Sequence, residues 1–198
     1  ENNLDHLIVT AKETSDPIHL NDIQPALFDG SFWNKGDLFI SLRSLSMIML
    51  YRPSTNKVLW YQQGPWVYQH DVDIIGKNEI SIFNNNLNLE KINVMGNNET
   101  LVYDFSNNKI SNPYKKTYEI NKISTPESGL AEILSNGDIF VEETLNGRLL
   151  RTDKTGKIIW QYINRSKNNK LYILSWSRYL DNKIITQELL NNLNKPCL

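Results

Sequence analysis

Two stretches of the chain read as copies of one unit, and that repeat limits the fold more than any other feature. Gly36 to Gln62 runs "GDLFISLRSLSMIMLYRPSTNKVLWYQ", and Gly137 to Tyr162 runs "GDIFVEETLNGRLLRTDKTGKIIWQY". Each opens on Gly-Asp and an apolar segment containing Phe. Each crosses a polar turn, "STNK" or "KTGK", and closes on a tryptophan, Trp60 or Trp160. A weaker middle copy contains "HDVDIIGKNEISIFNNN" and "ETLVYDFSNNKI", with an insertion at "NNNLNLEKINVMGNN". Apolar alternation, β-branched and aromatic residues, and Asn/Gly turns predict strands throughout. Four strands per copy, at a repeat of roughly 45 residues, is the pattern of propeller blades.

The expected architecture is therefore all-β, a β-propeller of four-stranded blades. Residues 1–13 read as the last strand of an earlier blade. Complete blades are expected over about 18–62, 69–121 and 128–163, with a partial blade over 171–190 and a tail over 191–198. In the middle copy the fourth strand is placed near "KTYEI", and "TQELLNNL" reads as a turn or two of helix. Three blades do not close a ring. The chain is thus expected to be an incomplete portion, completed by another chain or by upstream sequence. The alternative is a four-bladed ring that joins its two partial ends.

Composition removes several function classes. The chain has 198 residues, 21 basic and 22 acidic, for a net charge of −1. This balance argues against a general nucleic-acid binder, which shows a basic excess. No apolar run reaches the roughly 18 residues of a membrane span. A single cysteine, Cys197, excludes an intrachain disulfide and a cysteine-based zinc site. No phosphate-binding glycine loop is present. Neither a metal nor a cofactor is expected. No signal peptide is visible. The Asn98 and Asn164 glycosylation-type triplets read as chance matches in an Asn-rich chain.

Three short motifs carry chemistry: "HLN" at His19 to Asn21, "SLR" ending at Arg43, and "YQHD" containing His70. A neutral imidazole is a nucleophile at neutral pH. A guanidinium offers a planar fork to a tetrahedral oxyanion. His19 and Asn21, two apart on an extended segment, share a face. Asp71 follows His70 directly and so points the other way, which favours bracing over catalysis. Inner strands of successive blades start around one axis, so these residues are expected to meet there. Trp60 and Trp160 are expected as wedges between blades. Trp33, Trp66 and Tyr68 are candidates for an aromatic pocket.

The ordered set, His-x-Asn, a strand ending Ser-x-Arg, then Gln-His-Asp after the Trp strand, resembles the arylsulfotransferase family. These are PAPS-independent sulfotransferases built on a six-bladed propeller. The resemblance spans Ile18 to Tyr162. It implies transfer of a sulfuryl group from a phenolic sulfate ester to a phenolic acceptor, through a sulfohistidine and without a cofactor. His70 matches the family nucleophile. His19 and Asn21 match the His-x-Asn that contacts the sulfate, and Arg43 the arginine that holds it. Thr125 in "ISTPESG" corresponds to a late family threonine. A further family histidine would lie upstream, since His6 has the wrong setting. The resemblance implies a periplasmic or secreted location. Expected partners are the phenolic donor and acceptor and a second chain, segment or copy that completes the propeller, with no nucleic acid. The alternatives are a non-catalytic propeller that binds a partner protein or an anionic ligand, and a propeller hydrolase or lyase.

Overall fold

The computed structural model describes residue 2, residues 15–180 and residues 185–193. Within them lie three four-stranded antiparallel sheets. The first pairs β1 (Leu20–Pro25), β2 (Leu38–Leu42), β3 (Met47–Arg52) and β4 (Lys57–Gln63) in chain order. The second opens with β5 (Val72–Ile74) and β6 (Glu79–Asn84). Its insertion forms a small hairpin, β7 (Leu87–Asn88) with β8 (Asn93–Val94), and the blade resumes with β9 (Glu99–Asp104) and β10 (Lys109–Ser111). The third holds β11 (Leu130–Ile133), β12 (Ile139–Glu143), β13 (Arg148–Thr152) and β14 (Ile158–Ile163).

The repeated Gly-Asp has a physical cause. Gly36 and Gly137 sit at φ +93° and +82°, a region that side chains disfavour. The aspartate that follows then reaches across to the third strand of its blade. Arg52 grips Asp37 through two bonds, Nε to Oδ1 at 2.8 Å and Nη2 to Oδ2 at 2.6 Å. Arg151 likewise holds Asp138. The first and third blades thus each pin their hairpin with a charge-assisted pair, which in the third blade converges on the single oxygen Oδ2 of Asp138.

Aromatic side chains fill the spaces between blades. Phe105, just after β9, lies 4.8 Å from the Trp60 ring of the first blade and 5.7 Å from Trp33. Trp60 is therefore the wedge expected from the repeat. Between the second and third blades, Phe83, Tyr118, Ile139 and Leu150 form a separate buried cluster.

Two expectations on strand placement are corrected. "KTYEI" is not a strand but part of a helix, Lys115–Asn121, and the fourth strand of its blade is β10. Pro113 follows β10 and cannot donate to a ladder. The helix turns Thr117 and Tyr118 inward and leaves Ile120 exposed, an order that mimics alternation over so short a run. Tyr118 meets the Thr100 hydroxyl at 2.5 Å. The strands expected within 171–190 are also not found where described. Leu171 forms one isolated bridge with Arg165, residues 172–180 run without sheet partners, and Gln187–Leu193 is a helix, as "TQELLNNL" implied. Among the described residues no strand pairs with 172–180, and an inner strand without a partner has no ladder to join. The strand expected over 1–13 lies outside the described residues, Asn2 excepted, as do His6 and Cys197.

No fourth sheet closes the ring among the described residues. The outermost strand β14 shows the consequence. Ile159 is 50% exposed and Trp160 37%, although Trp160 stands where Trp60 stands in its own blade. The architecture is an open arc of propeller blades. Among the described residues no helix is long and apolar enough to cross a membrane.

Candidate active site

Strand registers show which positions the blades share. Ile23 pairs Ile40 in the first blade, Val72 pairs Ile82 in the second, and Ala131 pairs Val141 in the third. Asp22 and Asp71 therefore occupy the same place, and they act alike. Asp22 accepts the Val72 N–H of the next blade at 2.9 Å, and Asp71 accepts the Ala131 N–H at 3.0 Å. Arg43, Asn85 and Thr144 also share one place, just past the end of each second strand.

This arrangement explains why an imidazole stands beside an aspartate. Gln69, His70 and Asp71 point in three directions. Gln69 is buried and its amide donates to the Ser41 hydroxyl and the Met47 carbonyl of the first blade. Asp71 fastens the third blade. His70 lies between them, with Nδ1 2.8 Å from Asn85 Oδ1 and with Nε2 accepting the Ser128 N–H at 3.0 Å. An amide oxygen only accepts and a backbone N–H only donates. The proton therefore sits on Nδ1, and Nε2 carries the lone pair.

His70 lines a cavity of about 490 Å³ together with His19 and Asn21. The two histidines do meet a common space. His19 takes a left-handed backbone, φ +46°, stabilised by Asp16, which accepts its N–H at 3.0 Å and lies 2.8 Å from its Nδ1. Asn21 donates to the Gln69 carbonyl at 2.8 Å, so it ties the first inner strand to the residue before His70. Arg43 is buried, with its guanidinium 5.0 Å from the Tyr68 ring centroid. It lines an adjoining cleft of about 380 Å³ with His19, Asp16 and Glu127, so His19 is the wall between the two spaces. Thr125 is not on the cavity wall. It is fully buried, and its carbonyl accepts from both Asn85 and Asn98.

Residues 2–165 match the family described as Arylsulfotransferase (ASST). The chain belongs to the arylsulfotransferase family. No curated protein matches it. Among solved structures it is similar to "Crystal structure of WD40 beta propeller domain of Doa1", at 11% identity and a TM-score of 0.47. That likeness covers 76% of this chain and 45% of the other, so the chain spans less than half of that structure.

The electrostatics of this arylsulfotransferase-family site are divided. Burial, then the positive Arg43 and the neighbouring His19, push the His70 pKa down to about 4 against the Asn85 bond that raises it. The ring is neutral at pH 7. Below it, burial raises Asp22, Asp71 and Asp73, the last to about 6, while Arg178 draws all three down. Between its ordinary value of 3.8 and about 6, folded Asp73 holds a proton that the unfolded chain releases. Its contribution to stability is therefore greatest below that window and is lost as pH rises through 6. Asp73→Asn should raise stability at pH 8 by on the order of 2 kcal/mol, with the gain shrinking toward pH 4.5. Denaturant melts at the two pH values measure this. A gain that grows on acidification contradicts it.

Several site residues were not legible from sequence. Asn85 sits in "NNN", which reads as turn. Ser128, Thr144 and Glu142 had no motif, and Trp176 lay in a segment read as strand. The repeat itself held a signal: aligning the second strands places Asn85 and Thr144 on Arg43. Of the aromatic candidates, Trp33 and Trp66 are core side chains, and Tyr68 packs beneath Arg43. The indole on the cavity wall is that of Trp176. Asn98 is wholly buried, bonded to Asn85 and Thr125, which explains its presence without a glycan.

Proposed function

We propose that this chain carries the nucleophile half of an arylsulfate sulfotransferase site. The supporting observation is His70: a neutral imidazole with its lone pair on Nε2, on the wall of a cavity shared with His19 and Asn21. In the first half-reaction, Nε2 attacks the sulfur of an aryl sulfate. The sulfur–oxygen bond to the ring breaks, and its electron pair leaves on the phenolate. In the second, an acceptor phenol gives up its proton and attacks the sulfur, and the nitrogen–sulfur bond returns its pair to Nε2. His19, whose Nδ1 is held by Asp16, is the group placed to give and take those protons at Nε2.

A low basicity suits both halves. An imidazole with a pKa near 4 is unprotonated at pH 7, so every molecule has its nucleophile. The weakly basic nitrogen is also a good leaving group in the second step. Arg43 supplies positive charge beside the site for the peripheral sulfuryl oxygens. The Ser128 N–H must release Nε2 for attack to begin. The flat ring of a phenol has a partner in Trp176, while Leu145 and Ile173 make the wall apolar.

The remaining blades, supplied by another chain, a further segment or a second copy, would cover the exposed apolar residues of β14. A periplasmic or secreted setting follows from the family. Incubation with p-nitrophenyl sulfate decides the reaction. Release of nitrophenol that depends on added phenol, with phenols preferred to aliphatic alcohols, is the expected result. Release independent of acceptor would mean hydrolysis, and no release with retained anion binding would mean a binding propeller.

A further inference from the structure

We propose that Asn85 is the positioning residue of His70: one side-chain amide decides which ring nitrogen bears the proton and holds the loop that covers the other. The catalytic consequence rests on His70 being the nucleophile; the tautomer does not.

Asn85 has no freedom to flip. It is fully buried, and its Nδ2 donates to the Thr125 carbonyl at 3.1 Å and to the Ser128 carbonyl at 2.7 Å. Carbonyls only accept, so the NH2 end must face the loop and Oδ1 must face His70. The loop is fastened at other points too. Asn98 donates to the Thr125 carbonyl at 2.9 Å and accepts its N–H at 2.6 Å, and Gly129 donates to the Thr144 hydroxyl at 3.0 Å. The result is a closed circuit: Asn85 to Ser128 carbonyl, Ser128 N–H to Nε2, Nδ1–H back to Asn85. The Nδ1 proton thereby has a fixed acceptor during transfer, when the sulfated ring becomes cationic. Position supports the same role. Asn85 stands where the first blade places Arg43 and the third places Thr144, so one blade site has been given three tasks.

The charged and titratable groups bearing on the ring are Arg43 and His19, both of which lower its proton affinity, with Asp71 next in the chain. Replacing the neutral amide by a carboxylate adds an opposing charge without moving them. The test uses nitrogen-resolved NMR of the imidazoles in the full chain, with Asn85→Asp and Asn85→Leu as variants. The parent should show one tautomer, protonated on Nδ1. Asn85→Asp keeps the acceptor, so the titration of His70 should rise by at least about one pH unit. Asn85→Leu should give a mixture of tautomers. The acid limb of kcat/KM should move with the titration in each variant, whereas loss of a purely structural contact would lower the melting temperature alone. An Nε2–H tautomer in the parent, or unchanged tautomer and titration in folded variants, overturns the role. The parent spectrum decides even where neither variant folds. A locked Nδ1–H ring without transfer activity would refute the sulfotransferase reading and leave Asn85 in place. Transfer by a chain with an unlocked ring would do the reverse.

Discussion

His70→Asn is expected to lower phenol-dependent turnover of p-nitrophenyl sulfate by at least about 10³-fold while leaving the melting temperature nearly unchanged. Asparagine keeps a polar group near Asn85 and near the Ser128 N–H, so the circuit around the loop retains partners. What it removes is the lone pair proposed to attack sulfur. No neighbour replaces it: His19, with Nδ1 held by Asp16, is given the proton transfers, and Asn21 is occupied by the Gln69 carbonyl. The parent should also accumulate a covalent adduct, heavier by one sulfuryl group, when given donor without acceptor. Peptide mapping would place that adduct on His70. Turnover within tenfold of the parent, or an adduct on another residue, would remove His70 from the nucleophile role.

Different parts of this arrangement were legible in the sequence to different degrees, for physical reasons. Blade hairpins are local. Gly-Asp, a polar turn and a closing tryptophan lie within one stretch, and period-two burial prints them on the chain. The convergence of His19 and His70 followed from propeller geometry once blades were assigned. Short segments failed where alternation is ambiguous. "KTYEI" contains too few residues to separate period two from period 3.6, and only the burial of Tyr118 beneath β9 decides it. The segment after Tyr162 has strand-like composition, yet a strand needs a neighbour that the described residues do not supply. Asn85 and Ser128 were invisible because their roles come from long-range hydrogen bonds. Polar turn residues have the same composition whether they meet solvent or a buried ring.

The division of Gln69, His70 and Asp71 also explains how a site is held rigid on an open arc. The flanking residues bind the first and third blades, and the middle residue faces the cavity. Sliding the second blade relative to either neighbour would break a buried hydrogen bond. The geometry of the proposed site and the packing of the blades therefore rest on the same set of contacts, with the aromatic wedge packed between the first two blades.

Phe105→Ala tests that wedge. Phe105 is 7% exposed and touches the rings of Phe32, Trp33, Phe39, Trp60 and Tyr103, so it joins residues from both blades. Truncation removes its burial and leaves a cavity that blades fixed by backbone bonds cannot collapse. The expected loss is about 3–5 kcal/mol, or roughly 6 to 20 °C in melting temperature for a chain of this size. Trp160→Ala is the matched control. Its ring occupies the equivalent edge of the third blade but is 37% exposed, with Phe140 of its own blade as the aromatic neighbour, at 6.1 Å. In this chain alone it should cost less than half as much. When the blades that complete the ring are supplied, the cost of Trp160→Ala should rise toward that of Phe105→Ala, because a following blade would then cover it as the second blade covers Trp60. Equal losses in the chain alone would mean that the outer face of β14 is already packed, and the open arc would be the wrong architecture.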